Sequence, residues 1–155
     1  MSIESGKITR RATLAAAGTG LAGFLSASNP ASAAEWTPAE KSNVQVVNDF
    51  CASWPSHDPD KIMAFFAEPC AYRMTETQDP VKGRQAVADR IKGIVDRVQR
   101  FEVLETFAKG PMVINERVDH FTGGALQSWH GVGVFFLKEG KIVEWYDYTI
   151  ALERA

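Results

Sequence analysis

The chain has 155 residues, 45% of them hydrophobic, and its 17 Lys and Arg against 19 Asp and Glu give a formal net charge of −2. This length is enough for one domain with its own hydrophobic core. The basic residues form no cluster interleaved with aromatic residues, so the composition argues against nucleic acid as a partner.

Residues 1–34 have the layout of a cleaved export signal. A pair of arginines, Arg10 and Arg11, precedes an Ala-, Gly- and Leu-rich run over residues 15–25, and small residues follow it. This order is typical of a twin-arginine signal, which exports folded proteins. The apolar run is interrupted by glycines and is shorter than the ~20 residues of a membrane-spanning helix.

Cleavage of this signal is expected after Ala33 or Ala34. The predicted product is one domain over residues 35–155 that is periplasmic or secreted and has no membrane association after cleavage. Loss of the basic signal leaves this domain slightly more acidic than the full chain.

Three helices are predicted in the first part of this domain. The first starts with Thr37 as its cap, followed by proline and a glutamate three residues on, and runs to Trp54. A second starts at Asp58, carries Phe66 on its apolar side and is stopped by Pro69. A third covers residues 84–97, where apolar residues recur at helical spacing.

Strands dominate the second part. One strand is predicted to begin at Cys70 and include Met74, and four more follow the third helix, separated by glycine-containing turns. Their predicted spans are Arg100–Ala108, Met112–Phe121, Ser128–Leu137 and Lys141–Leu152. Three N-terminal helices on one face of a curved antiparallel sheet make an α+β, cone-shaped roll with a central pocket.

Charged residues are predicted to point into this pocket. Strand alternation places Asn115, Arg117 and Asp119 on one face of their strand. It places Val143, Trp145, Asp147 and Thr149 on one face of the last strand. Burying such charges is costly unless they are paired. Their convergence would therefore indicate a functional site, or alternatively an ion pair that fixes strand register.

The cysteines and histidines carry less information. Cys51 and Cys70 are compatible with a disulfide in an oxidising compartment, or with two small buried apolar residues. His57, His120 and His130 have no metal-ligand spacing to either cysteine, so no metal site is predicted. No cofactor motif is present either.

Several segments together resemble the limonene-1,2-epoxide hydrolases, small enzymes of the NTF2-like superfold that also includes SnoaL-like and ketosteroid isomerase-like proteins. The more specific pair is Glu116-Arg-Val-Asp119 with Trp145-Tyr-Asp-Tyr148. The supporting segments are Val47–Phe50, Asp58–Glu68, Tyr72, Gly83–Val87, Gly133–Phe135 and Glu139–Ile142.

The resemblance implies a catalytic triad of Arg117, Asp119 and Asp147. Asp147 would deprotonate the attacking water, Asp119 would protonate the epoxide oxygen, and Arg117 would bridge them. Two carboxylates in a dry pocket cannot easily both ionise, so one can hold a proton at neutral pH. Tyr72 would position the water, but Met74 stands where the family has a second water-holding residue, an asparagine.

The expected ligand is a small apolar molecule in contact with Met74, Asn115, Trp129, Phe135 and Trp145. The implied reaction opens an apolar epoxide to a diol without a cofactor. Two alternatives remain open: an isomerase or cyclase on the same cone, or a binding domain with an idle charge cluster. A homodimer is expected, through the sheet face opposite the helices.

Overall fold

The computed structural model describes residues 35–155. The predicted export signal lies outside the described residues. The helices are α1 (Pro38–Ser53), α2 (Pro59–Met63) and α3 (Arg84–Lys92), with 3-10 turns at Trp54–Ser56 and Val95–Arg97. The strands are β1 (Phe66–Arg73), β2 (Val81–Lys82), β3 (Val98–Lys109), β4 (Met112–Phe121), β5 (Leu126–Lys138) and β6 (Lys141–Arg154).

The six strands form one curved sheet in the order β2-β1-β6-β5-β4-β3. Strands β3 to β6 are an antiparallel meander, as predicted, but β1 runs parallel to β6. The sheet is therefore mixed rather than wholly antiparallel. The α+β class and the NTF2-like cone predicted from the sequence are confirmed.

The second helix is shorter than predicted, and the strand after it is longer. Helix α2 ends at Met63, and Phe66 already belongs to β1. Pro69 lies inside this strand rather than at a helix end. The pairing with β6 shifts register between Phe66 and Ala71, so the ladder is interrupted where the proline could not donate a hydrogen bond. Helix α3 likewise ends early, at Lys92, and a 3-10 turn completes the predicted span.

A bulge in β6 corrects the predicted face of Val143. Phe136 pairs with Glu144 and Leu137 with Ile142, so Val143 is an extra residue in the ladder. Ile142 is fully buried, whereas Val143 is half-buried and lines a groove on the outer side of the sheet. Beyond the bulge the predicted alternation returns, and Trp145 and Asp147 are buried.

Helix α1 packs its apolar side on the concave face of the sheet. Its capping box is complete: the Glu40 Oε2 atom accepts from the Thr37 N–H at 2.8 Å, and the Thr37 hydroxyl accepts from the Glu40 N–H. Glu40 Oε1 also accepts from the Gly110 N–H at 2.7 Å, which ties the helix to the β3–β4 turn. Phe50 packs edge-on against Trp145, with ring centroids 5.0 Å apart.

Both cysteines are buried free thiols, so the disulfide alternative does not apply to this structure. Among residues 35–155, no helix has the length and apolar character needed to cross a bilayer.

Candidate active site

The two predicted strand faces do converge. Arg117 Nε donates to Asp119 Oδ1 at 2.9 Å, and Arg117 Nη2 donates to Asp147 Oδ1 at 2.9 Å. A weaker contact of 3.4 Å joins Nη2 to Asp119 Oδ2. The side chain of Arg117 is 0% exposed, and the two carboxylates are almost as buried. One guanidinium therefore bridges two buried carboxylates.

Neighbouring polar groups complete the hydrogen bonding of this cluster. Asn115 Oδ1 accepts from Arg117 Nη1 at 3.0 Å, and Trp145 Nε1 donates to Asp147 Oδ1 at 2.7 Å. The Asn115 amide in turn donates to Cys51 Sγ at 3.3 Å, which links the cluster to helix α1. Because buried charges are tolerated only when paired and hydrogen-bonded, these partners keep the arginine in place.

Gly133 on β5 makes room for the guanidinium. A Cβ atom at this position would lie 2.1 Å from Arg117 Nη1 and 2.9 Å from Asn115 Oδ1. Any side chain would therefore displace the arginine. Residue 133 must therefore be glycine for steric reasons, which strand alternation alone does not reveal.

Aromatic rings enclose the cation. The central carbon of the Arg117 guanidinium lies 4.8 Å from the ring centroid of Phe101, 5.1 Å from that of Trp129 and 5.5 Å from that of Trp145. Such contacts favour a desolvated cation. They also exclude water from the ion pairs, which strengthens the electrostatic interactions.

Burial shapes the acid–base properties of the two carboxyls. Burial raises the pKa of Asp119 to about 7, helped by the nearby Asp147 charge and opposed by Arg117. Burial also raises the pKa of Asp147 to about 6, opposed by Arg117 and by the Trp145 hydrogen bond. Burial acts against the charge of Arg117, but the two carboxylates outweigh it and raise its pKa. The pair titrates as a coupled unit close to neutral pH.

A cavity of about 250 Å³ opens above the cluster. Asp119 and Asp147 line it together with Tyr72, Met74, Trp129 and Trp145. The remaining lining residues are Thr75, Ile94, Arg97, Val98, Phe101, Phe121, Leu126, Leu152 and Arg154. This mostly apolar lining with a few convergent polar groups is typical of a small-molecule site.

Two predicted ligand contacts lie outside the cavity lining. Asn115 and Phe135 are both 0% exposed. Asn115 lies behind Arg117, and Phe135 stacks on the Trp145 ring at a centroid distance of 5.7 Å. They support the cluster and the cavity wall from behind.

Tyr72 lies on β1, whereas Met74, predicted to belong to the same strand, lies just beyond its end at Arg73; both line the cavity. Tyr72 stacks on Trp145, with centroids 4.0 Å apart and planes at 15°. Burial, and then the Asp147 charge, raise the pKa of Tyr72, so its hydroxyl stays protonated and can donate a hydrogen bond. Met74 offers a thioether at the position two residues further along, which is a poor anchor for water.

The three histidines lie away from the cluster. His130 is half-buried on the outer face of the sheet and contacts Glu116, with 2.8 Å between Nε2 and Oε1. His120 contacts Glu102, and His57 contacts the Val95 carbonyl. Within the part of the chain that the structure describes, no group of three or more His, Cys, Asp or Glu side chains could hold a metal ion.

Sequence reasoning missed several residues of the site. Phe101 and Gly133 were not predicted, although Gly131 and Gly133 share a strand face with Trp129 and Phe135, which could have indicated a close approach there. Leu126, Leu152 and the arginines at the cavity mouth lie at strand or turn ends. Their positions depend on how those ends fold over the pocket, which local patterns do not encode.

Comparisons with known proteins agree with this architecture. The SnoaL-like domain model matches residues 47–145. A solved LEH-like epoxide hydrolase from M. tuberculosis is 23% identical with a TM-score of 0.64, covering 73% of this chain and 86% of its own. An NTF2-like protein of unknown function from Mesorhizobium loti is 23% identical with a TM-score of 0.64, covering 76% and 98%.

A candidate polyketide cyclase from Xanthomonas campestris is 19% identical with a TM-score of 0.59, covering 72% of this chain and 93% of its own. At these identities the likeness to solved structures shows the fold alone. The family match covers more than half of the chain. The protein therefore belongs to the SnoaL-like domain family, with an NTF2-like fold.

Proposed function

We propose that this protein is a hydrolase that opens a small apolar epoxide to a diol by one-step attack of water. The observation that carries the proposal is the single buried guanidinium bridging Asp119 and Asp147 at the bottom of an apolar cavity. Such a cluster is costly to maintain without a use, and it supplies an acid and a base in one dry site.

The two carboxyls have different surroundings. Trp145 and Arg117 both donate to Asp147 Oδ1, which favours its ionised form. Within residues 35–155, no side chain donates to the second oxygen, Asp147 Oδ2. This oxygen can therefore accept a hydrogen bond from a water in the cavity. Asp119 lines the same cavity, and its only side-chain hydrogen bonds within residues 35–155 come from Arg117. We therefore assign Asp147 as the base and Asp119 as the acid.

In the proposed step the water oxygen attacks a ring carbon of the epoxide. The water's proton passes to Asp147, the carbon–oxygen bond of the ring breaks, and Asp119 transfers its proton to the leaving oxygen. The product is the diol. The cluster then holds its proton on Asp147 rather than Asp119, and exchange with water restores the starting state. Tyr72 donates a hydrogen bond to the attacking water.

The direct test measures diol formation from a panel of terpene and cycloalkene epoxides. Asp119→Asn and Asp147→Asn should each reduce turnover by about 10²–10⁴-fold, the usual contribution of a positioned acid or base. Asp79→Asn, in an exposed loop, is the matched control and should retain activity. Full turnover in either site variant would refute the assigned roles.

A second candidate is an isomerase or cyclase, and the Met74 side chain favours it. Proton transfer on an enolisable ketone needs the acid and base but no bound water, so a missing water anchor would not matter. Turnover of such a ketone without diol formation would select this candidate. Turnover of neither substrate class, with an apolar ligand raising the melting temperature, would indicate a binding domain.

Export and pairing are part of the same proposal, and the export part rests on the sequence. We propose that residues 1–34 direct export and are then removed, which mass spectrometry of the protein recovered outside the cytoplasm would show. We also propose a homodimer through the outer sheet face. Large apolar side chains on β3 and β6, including Phe107 and Tyr148, are exposed to solvent there.

A further inference from the structure

Two arginines lie at the mouth of the cavity. Arg97 ends the 3-10 turn before β3, and Arg154 ends β6. Both line the cavity, and both are exposed to solvent. The two acids that line the same cavity are buried, so the cavity has acidic groups in its buried part and basic groups at its exposed part.

Strand register gives the backbone offset of these arginines from Asp119 along the strands. Asp119 pairs with Trp129, which pairs with Leu152, and Arg154 follows two residues later. On the other side of β4, Phe121 lies two residues beyond Asp119 and pairs with Val98. Arg97 precedes Val98 by one residue. At about 3.3 Å per strand residue, the backbone of Arg154 lies about 7 Å, and that of Arg97 about 10 Å, outward from the level of Asp119.

One loop brings the two arginines to the same side of the mouth. Arg97 Nη2 donates to the Gly123 carbonyl at 3.2 Å, in the β4–β5 loop. Leu126, at the end of that loop, pairs with Arg154, and the Ala155 N–H donates to the Ala125 carbonyl at 3.0 Å. Two positive charges therefore flank a single short segment.

These charges are not neutralised by acids of the described domain. Within residues 35–155 neither Arg97 nor Arg154 forms a salt bridge, whereas Arg100 pairs with Glu102 at 2.8 Å. The acid beside Arg154, Glu153, accepts from the Ser128 hydroxyl at 2.9 Å. Positive charge at the entrance of an apolar cavity attracts an anionic group, and the guanidinium geometry matches a carboxylate.

We propose that the substrate is amphipathic: an aliphatic epoxide whose carboxylate binds Arg97 and Arg154 at the mouth of the cavity. The epoxide rests on the proposed function, and the carboxylate is the new element. The aliphatic part lies against the apolar walls, and the negative charge stays at the solvent-exposed mouth, where it is not desolvated.

The test compares a terminal-epoxide carboxylate with its methyl ester, which lacks the charge and adds one methyl group. The kcat/KM for the carboxylate should exceed that for the ester by about tenfold, since two solvent-exposed ion pairs contribute modestly. The double variant Arg97→Gln/Arg154→Gln should bring this ratio close to one, and added salt should reduce it in the wild type. Arg100→Gln, which removes an exposed arginine outside the cavity, is the control and should keep the wild-type ratio.

A binding assay separates this inference from the proposed reaction. The saturated analogues of the two compounds carry no epoxide, and their binding can be followed by the fluorescence of Trp129 and Trp145 in the cavity. Tighter binding of the carboxylate that disappears in the double variant supports the inference even if no diol forms from any epoxide. Equal binding of acid and ester, or a preference that survives in the double variant, would overturn it.

Discussion

Replacing Asp119 by asparagine should change how the stability of the protein depends on pH. The pKa of this carboxyl is raised from 3.8 to about 7, mainly by burial. Each pKa unit corresponds to about 1.4 kcal/mol, so the protonated carboxyl contributes about 4 kcal/mol to the free energy of unfolding. That contribution is present below the unfolded-state value near 4 and is lost as the pH rises through about 7.

Asparagine is nearly isosteric with the protonated carboxyl and does not titrate. The difference in unfolding free energy between Asp119→Asn and the wild type should therefore move in favour of the variant by about 4 kcal/mol between pH 4 and pH 8. Urea denaturation at a series of pH values measures it, because the comparison cancels the titrating groups that do not interact with Asp119. Asp79→Asn, at an exposed position in a loop, is the control variant.

Parallel pH curves for Asp119→Asn and the wild type would contradict this expectation. They would mean that Asp119 ionises in the folded protein as it does in the unfolded chain. Such a carboxyl could not hold a proton near neutral pH, and the role of Asp119 as the acid would be wrong. This measurement of unfolding free energy needs no substrate.

Two further substitutions address the shape of the site. Met74→Asn should raise the kcat for diol formation severalfold, because it restores a polar anchor beside Tyr72; an unchanged kcat would mean that the water is held by other groups. Gly133→Ala should lower the free energy of unfolding by about 1–3 kcal/mol, because its Cβ would lie 2.1 Å from Arg117 Nη1. Gly93→Ala is its control: the nearest atom there is 3.4 Å away and φ is −69°, so unfolding in urea should be little changed or slightly harder. Equal effects of the two alanines would contradict the steric argument.

The sequence was sufficient where a single geometric rule governs the outcome. Strand alternation correctly places Asn115, Arg117 and Asp119 on one buried face, because a strand cannot change its period without a bulge. The triad's convergence also needs two strands to face the same cavity. The meander order and the family resemblance predict that the two strands face the same cavity; neither strand predicts it alone.

The errors occur where the ladder is interrupted. Phe66 and Pro69 read as the end of a helix because aromatic residues followed by proline fit that pattern, but tertiary pairing with β6 makes them a strand. The expected burial of Val143 is wrong because Val143 is the extra residue of a bulge, and nothing in the local sequence indicates that bulge. Arg97 and Arg154 became part of the site only because turns and strand ends fold over the cavity, a long-range effect that local periodicity does not contain.

The Glu40 carboxylate, described above as completing the cap of helix α1, also gives the molecule a second response to acid, opposite in sign to that of Asp119. The N–H groups of Gly110 and Thr37 lower the pKa of Glu40. Its contribution to stability is therefore present above the ordinary carboxyl value of 4.5 and is lost as the pH falls through the lowered value. Protonation of Glu40 in strong acid weakens its hydrogen bonds to the Thr37 and Gly110 N–H groups, and so loosens the start of α1 and the β3–β4 turn. Under the same conditions a proton on Asp119 stabilises the interior. Acid would thus loosen the periphery of the domain before its centre.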